Sequence, residues 1–415
     1  MKVCVLGAGV AGMTSAYFLA RAGFEVTVVE RNSGVGLETS YANGGQLSYS
    51  YVAPLAGPGV LPKLPPWLLR RDSPLRFVPR LDWRQWRWAL QFVAACNALR
   101  SRTTTARLLR LSFYSRAAMQ RMVAEEALDF DYAQSGKLVL YGDAPSFDAA
   151  VATMDFQREL GCEQHALDVR QCVQLEPALA HIAPRIAGGI HTPSEDAGDC
   201  YRFCVSLERV LRAQGVRFYL DTRVREMVES GGRIAAARTD RGEIEADRYV
   251  VTLGAQSVFL LRALGIDVPI WPLKGYSLTL AVTDAARAPR VSITDHKRKV
   301  VYARLGAELR VAGMADVAGF DADLDPRRID LLVECVRRTF PDCADLSDVK
   351  PWCGLRPATP RGTPLIGATR YPNLLVNIGH GALGFTLACG CGQIIADLAR
   401  GAPAAIALDG MMLKR

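Results

Sequence analysis

Val3-Cys4-Val5-Leu6-Gly7-Ala8-Gly9-Val10-Ala11-Gly12, continued by residues 13–21 and then by Glu25-Val26-Thr27-Val28-Val29-Glu30, is the stretch that decides the fold. Val3 to Leu6 reads as a buried strand, the glycine-rich turn closes it, and residues 13–21 continue as a helix packed through Ala, Met, Tyr, Phe and Leu. Gly23 ends that helix and Glu25 to Glu30 supplies the next strand. Each glycine then has a task. Gly7 makes the tight turn, Gly9 lets backbone approach a pyrophosphate, and Gly12 lets helix and strand pack closely. The amino end of the helix aims N–H groups at phosphate. Glu30, closing the second strand, is placed to accept hydrogen bonds from an adenosine ribose, the plainer alternative being a solvated carboxylate. The unit predicts dinucleotide binding. Glycine spacing does not separate FAD from NAD, but the amino-terminal position and later nucleotide-like loops favour FAD.

Working outward, Thr39 to Gln46 is a polar loop in which Ser40, Asn43 and Gln46 carry hydrogen-bonding atoms while Gly44 and Gly45 permit close backbone approach. Helical patterns follow at residues 83–95 and 105–128, a strand at 137–141, and a helix at 201–214. Tyr249 to Leu253 is another apolar strand ending at glycine. After Pro269 the pattern changes to short alternating strands, which predict a largely antiparallel sheet. Leu374 to Ile378 is a final strand, leading through Gly379, Gly381 and Gly384 into a helix near Thr386. The expected architecture is an α/β FAD-binding Rossmann-like domain joined to an α+β substrate domain with a largely antiparallel sheet. The chain is expected to visit the first in residues 1–60, 190–265 and 345–415, and the second in 61–189 and 266–344.

Composition bounds the function. The 415 residues are 50% hydrophobic and 22% charged, an ordinary globular composition, and can bury one large core or two connected ones, the second being expected. Eleven Cys cannot all pair within one chain, so a reducing, cytoplasmic setting is expected. Cys389 and Cys391 form a C-x-C rather than a redox or zinc motif, and no metal set is recognisable. A cleaved export signal would remove the first strand and its turn, so that reading is rejected. There is no uninterrupted run of eighteen apolar residues, which argues against a transmembrane helix.

The net charge of +8 is concentrated: residues 61–110 hold eleven Lys or Arg against two Asp, a balance of +9, so the rest of the chain sums to −1. No zinc-finger, helix-turn-helix or RNA-binding signature accompanies it, so no nucleic-acid partner is expected. Trp67, Trp83, Trp86 and Trp88 are interleaved there with Arg70, Arg71, Arg76, Arg80, Arg84 and Arg87. Tryptophan in the interfacial layer with arginine at phosphate predicts peripheral membrane contact through residues 67–88, on the cytoplasmic face of an inner membrane. Aromatic packing between domains is the competing reading.

Several dispersed blocks carry a resemblance: GAGVAG at 7–12, ETSYANGGQLS at 38–48, EDAGDC at 195–200, WPLKGYSLTL at 271–280, GLRPATPRGTPLIG at 354–367 and GHGALGFTLACGCGQ at 379–393. Along essentially its whole length the chain resembles the flavin-dependent D-amino acid dehydrogenase family, within the D-amino acid oxidase and glycine oxidase superfamily. The resemblance implies non-covalent FAD, oxidation of a small D-amino acid at its amine-bearing carbon, release of a 2-oxo acid and ammonia, and electrons passed toward a respiratory quinone acceptor. It further implies that the 39–46 loop wraps the flavin and that the Gly379 to Gly384 turn contacts it. His380 reads either as a structural residue of that turn or as a substrate contact.

For the substrate, an arginine fork is the best fixed ligand for a carboxylate. Arg356, in Gly354-Leu355-Arg356-Pro357, matches the carboxylate-binding arginine of related oxidases. Some glycine oxidases carry another arginine two positions after the late histidine; this chain has Ala382 there. Tyr276 is open between a substrate-side hydroxyl and a buried sheet tyrosine. An oxygen-using amine oxidase and a non-enzymatic flavoprotein are the alternative functions.

Overall fold

The computed structural model describes residues 1–63 and 73–413. Five helices position the site: α1 (Val10–Arg21), α2 (Trp83–Ala95), α3 (Ala98–Glu125), α4 (Cys200–Ala213) and α5 (Gly384–Ala399). Lys2–Leu6 and Glu25–Val29 are adjacent parallel strands joined through α1, as the glycine pattern requires. They belong to a six-stranded sheet in the order Leu365–Ala368, Leu374–Ile378, Arg248–Val251, Lys2–Leu6, Glu25–Val29, Arg217–Tyr219. Its pairings are parallel except at the Leu365–Ala368 edge. The Val- and Leu-rich strands suit this sheet because both its faces are covered.

On one face Met13 and Leu19 of α1, Leu108 and Met119 of α3, Phe203 of α4 and Ile394 of α5 share a core. Two glycines bring these helices unusually close. A Cβ on Gly390 would stand 2.9 Å from Ser115 of α3, and one on Gly392 would stand 2.8 Å from the Thr14 backbone of α1. The stretch Gly381–Ala399, mean hydropathy 1.5, is long and apolar enough to cross a membrane, but 72% of it is buried inside the protein, which makes it a core helix. Cys389 and Cys391 belong to that core, and all eleven cysteines are unpaired thiols.

The second sheet has nine strands and is mainly antiparallel. Its path runs Lys350–Ala358, Trp271–Ala281, Glu308–Val317, Val300–Leu305, Ser292–Asp295, Lys137–Tyr141, Gly188–Thr192, His165–Leu167, and Leu75–Phe77 pairs beside Glu308–Val317. Strand alternation divides its residues. Tyr276, Leu278, Tyr302 and Val311 pack against the helix Pro326–Thr339 on the far face. Trp352, Ser277, Ala312, Val301, Thr294 and Val139 are successive cross-strand neighbours on the other face, which lines the cavity.

The expected segments differ from these sheets in three places. Helix α3, expected in the substrate segment 61–189, packs on α5 and shares a core with α1 of the nucleotide domain. Its apolar stripe says that it packs, not against what. The boundary at 190 cuts through Gly188–Thr192, a strand of the second sheet. Lys350–Ala358, expected in the segment 345–415, is also a strand of the second sheet; Pro351, Gly354 and Pro357 disguise its pattern.

Candidate functional site

A cavity of about 1080 Å³ is lined from both sheets and touches Gly9, Glu30, Ser40, Gly45, Arg356 and Gly381. At the glycine turn the three assigned tasks separate. Gly7 has φ +105°, and a Cβ there would press on the Thr252 carbonyl at 3.0 Å. A Cβ on Gly12 would stand 1.8 Å from the Gly7 carbonyl, so helix and strand touch there without room for a side chain. At Gly9 the nearest obstacle is Ser40 Oγ at 3.5 Å, which leaves the backbone open to the cavity.

Glu30 is buried and holds this turn. Its Oε2 accepts from the Ala8 N–H at 2.8 Å, while Oε1 accepts from the backbone N–H (2.9 Å) and side-chain amide (2.8 Å) of Asn32. The solvated-carboxylate alternative therefore fails, and the group still faces the cavity. Ser40 Oγ accepts from the first helical N–H, that of Val10, at 3.0 Å. Its own proton can be given to a ligand.

The rest of the loop is organised by the second sheet. Asn43 Oδ1 accepts from the Gly45 N–H at 3.0 Å, shaping a turn in which Gly45 has φ +63°. Gly44 lies against Val301 and Ala312. Ser277 Oγ donates to the Ala42 carbonyl (2.6 Å), and Arg310 donates to the Asn43 carbonyl (3.0 Å) while ion-paired with buried Asp199 (3.0 Å). Gln46 differs from expectation: its amide donates to the Ile293 and Tyr302 carbonyls and its oxygen accepts from Lys137 Nζ at 2.7 Å. Its side chain pins the loop to the sheet. Lys137 also donates to Ser48 Oγ at 2.8 Å, and burial pulls its pKa down while pushing Glu195 up.

The late turn is equally specific. Gly379 and Gly381 have φ of +78° and +56°, and nothing stands within 4 Å of a Cβ built on Gly381. Gly384 begins α5, whose amino end faces the cavity and is tied to the early loop by the Ser48 N–H on Thr386 Oγ1 at 3.0 Å. His380 is buried, its Nε2 lies 3.0 Å from Asn377 Oδ1, and burial lowers its pKa to about 4. A neutral histidine held by its own turn is the structural reading. Glycine-shaped backbone at two helix amino ends, with Glu30 at the first, fits FAD: Gly9 and Ser40 would meet its pyrophosphate, Glu30 its ribose, and Gly44, Gly45 and Gly381 its ring system.

Arg356, the residue expected to bind a substrate carboxylate, lies flat on the second sheet. Leu273 is its cross-strand partner, and a Cβ on Gly275 would stand 2.3 Å from the guanidinium. Trp352 lies over Gly354 in the same way, at 2.1 Å. Arg356 donates to the Met314 carbonyl at 2.8 Å and makes no ion pair among the described residues. Burial lowers its pKa, and Asp316 behind it opposes that shift. Tyr276 borders this cavity, but its hydroxyl is bound to Asp316 behind the sheet. Gly275 and Ser277 occupy the cavity face, so alternation turns Tyr276 to the far face, where its hydroxyl donates to Asp316 at 2.9 Å. It therefore offers no substrate-side hydroxyl. Met314 and Ser277 at the cavity, Arg310 under the loop and Asp316 behind the sheet carry no motif; register alone places them.

The basic tryptophan segment divides. Trp67, Arg70 and Arg71 lie outside the described residues. Trp88 is buried with its indole donating to the Ala358 carbonyl at 2.9 Å, while Trp83 and Trp86 are 61% and 49% exposed. Arg76 is committed to Asp316 and Asp325, and Arg87 pairs with Asp267 at 2.6 Å and lies over the Trp83 ring.

The family model described as FAD dependent oxidoreductase matches residues 2–398. The chain is 50% identical to D-amino acid dehydrogenase 2 of Ralstonia nicotianae, across 97% of this chain and 98% of that one. It is 47% identical to D-amino acid dehydrogenase 2 of Pseudomonas aeruginosa, across 99% and 98%. Glycine oxidase from Geobacillus kaustophilus has the same fold, with a TM-score of 0.80 at 20% identity across 100% of this chain and 98% of that one. The chain therefore belongs to the FAD-dependent oxidoreductase family, among its D-amino acid dehydrogenases.

Proposed function

We propose that this protein oxidises D-amino acids to 2-oxo acids and ammonia, with FAD as cofactor, and that the electrons pass to a respiratory acceptor at a membrane surface. The observation that carries the first part is Arg356, a cation on the cavity wall with a backbone carbonyl but no ion-paired carboxylate among the described residues. A substrate carboxylate supplies the missing anion through two parallel hydrogen bonds. Bound FAD would supply a two-electron acceptor for the hydride leaving the substrate Cα. The chain's own part is positioning: Arg356 fixes the carboxylate, Gly275 and Gly354 keep the floor low, and the 40–46 loop and α5 fix the cofactor side. The substrate amine gives up its proton before hydride loss, and water hydrolyses the resulting imine.

The membrane reading rests on α2. Trp83, Trp86, Leu90 and Val93 are exposed at helical spacing on one face, with Leu81 just before them. An apolar stripe of this kind suits an interfacial layer, while Arg80, Arg84 and Arg87 beside it are at least partly exposed but each paired with an aspartate. Anaerobic absorbance spectroscopy with paired D- and L-amino acids tests the chemistry. Bleaching of the flavin by D substrates is expected, and no bleaching by any amino acid would overturn the proposal. Turnover with a quinone analogue against oxygen tests the acceptor: dominant peroxide formation would reject it.

A further inference from the structure

We infer that a left-handed bulge at Met314, locked from behind the sheet by Asp316, is the device that aims Arg356 into the cavity. The inference rests on the reading of Arg356 as the carboxylate clamp. Between Lys274 and Tyr276 the neighbouring strand Glu308–Val317 carries one residue too many: Lys274 pairs with Asp316, but Tyr276 pairs with Gly313. Met314 and Ala315 therefore stand opposite Gly275 alone, which is the count that defines a β-bulge. Met314 takes φ +62°, a region that a non-glycine residue keeps only when its surroundings over-determine it.

The surroundings do so. The bulge points the Met314 carbonyl at Arg356 Nη1, 2.8 Å away, while Gly275 opposite leaves the space the guanidinium fills. Two residues on, Asp316 is fully buried and accepts from the Tyr276 hydroxyl at 2.9 Å, from Arg328 at 2.6 Å and from Arg76. Arg328 is itself anchored to the Ser73 carbonyl at 2.7 Å. The strand is thus fixed on its far face, and the extra residue emerges on the near face as a carbonyl that orients the clamp. Met314, Asp316 and Tyr276 are positioning residues, and Tyr276 serves the substrate site through Asp316 rather than by contact. A carboxylate held by a fork 1 Å out of place loses much of its alignment.

The test uses the FAD-loaded enzyme and an unreactive carboxylate, acetate or benzoate, whose binding is read from the flavin absorbance change. Met314→Gly adopts the bulge conformation freely and, although it gives up the buried Met314 side chain, should lose clearly less affinity than Met314→Ile. Met314→Ile cannot adopt it without strain and should bind on the order of tenfold more weakly, with normal FAD content. Tyr276→Phe removes one anchor without changing size and should weaken binding severalfold; it carries the test should Met314→Ile fail to fold. Parent-like affinity in Tyr276→Phe or in a folded Met314→Ile, or an equal loss in Met314→Gly and Met314→Ile, would overturn the inference. Arg356→Lys separates the two readings. Unchanged affinity in that variant refutes the clamp itself, whereas weakened affinity beside a parent-like Met314→Ile refutes the bulge alone.

Discussion

Replacing Glu30 by Gln should loosen FAD without slowing the chemistry of the saturated enzyme. The carboxylate accepts three hydrogen bonds, one from the Ala8 N–H through Oε2 and two from Asn32 through Oε1. A glutamine keeps the same shape but has one acceptor oxygen. The amide turns that oxygen to the two Asn32 donors and sets its NH2 group against the Ala8 N–H, which is buried in the glycine turn. Toward bound FAD the amide also replaces a charged acceptor for the ribose hydroxyl by a neutral one, and losing one charge-assisted bond is worth about 1.5–3 kcal/mol. At 1.4 kcal/mol per factor of ten, the FAD dissociation constant should rise about 10–150-fold if the whole loss falls on the bound state. Part falls on the folding of the empty turn, so the lower end is the expected value. The assay is titration of the apoprotein with FAD, read by quenching of flavin fluorescence, with the rate of anaerobic flavin reduction measured at saturating FAD. A dissociation constant equal to the parent's would remove Glu30 from the cofactor site. A normal constant with slowed reduction would place it in the chemistry instead.

Three further outcomes are expected. Arg356→Lys keeps the charge but loses the planar fork, so the substrate concentration giving half-maximal anaerobic reduction should rise roughly tenfold or more with FAD retained; unchanged binding and reduction rule out the clamp. Trp83→Ser with Trp86→Ser should reduce co-sedimentation with anionic liposomes even at low salt, while added salt should weaken the parent's binding because exposed charges are screened beyond about 8 Å at physiological ionic strength; a folded parent that does not co-sediment assigns α2 to domain packing. His380, whose pKa is lowered to about 4 in the folded chain, binds its proton more readily when unfolded, so its contribution to stability is present at neutral pH and is lost as pH falls from about 6.5 to about 4. The melting-temperature advantage of the parent over His380→Gln should therefore grow with pH across that window, and a flat difference would contradict the buried neutral histidine.

Local physics makes the cofactor half of this protein legible in its sequence. Gly7 and Gly12 make the turn and the helix–strand contact that their spacing demands, and Gly9 leaves its backbone open to the cavity, because all three positions lie within a dozen residues. Glu30 follows from the same local geometry: at the end of the next strand its carboxylate lies beside the turn and accepts from the Ala8 N–H. Arg356 was visible through its motif. Its strand was not, because prolines and glycines mask the alternation of Lys350–Ala358. What tertiary structure alone decided is everything that depends on register. Tyr276 and Gly275 are neighbours in sequence, yet a pleated strand sends one to a buried aspartate and the other beneath the arginine. Gln46 carries amide groups suited to a flavin, but three partners on the other sheet claim them. Trp88 sits among exposed aromatic residues in sequence and points inward because α2 turns its face every few residues. Residue type states what a side chain can do; the pairing of distant strands decides what it meets.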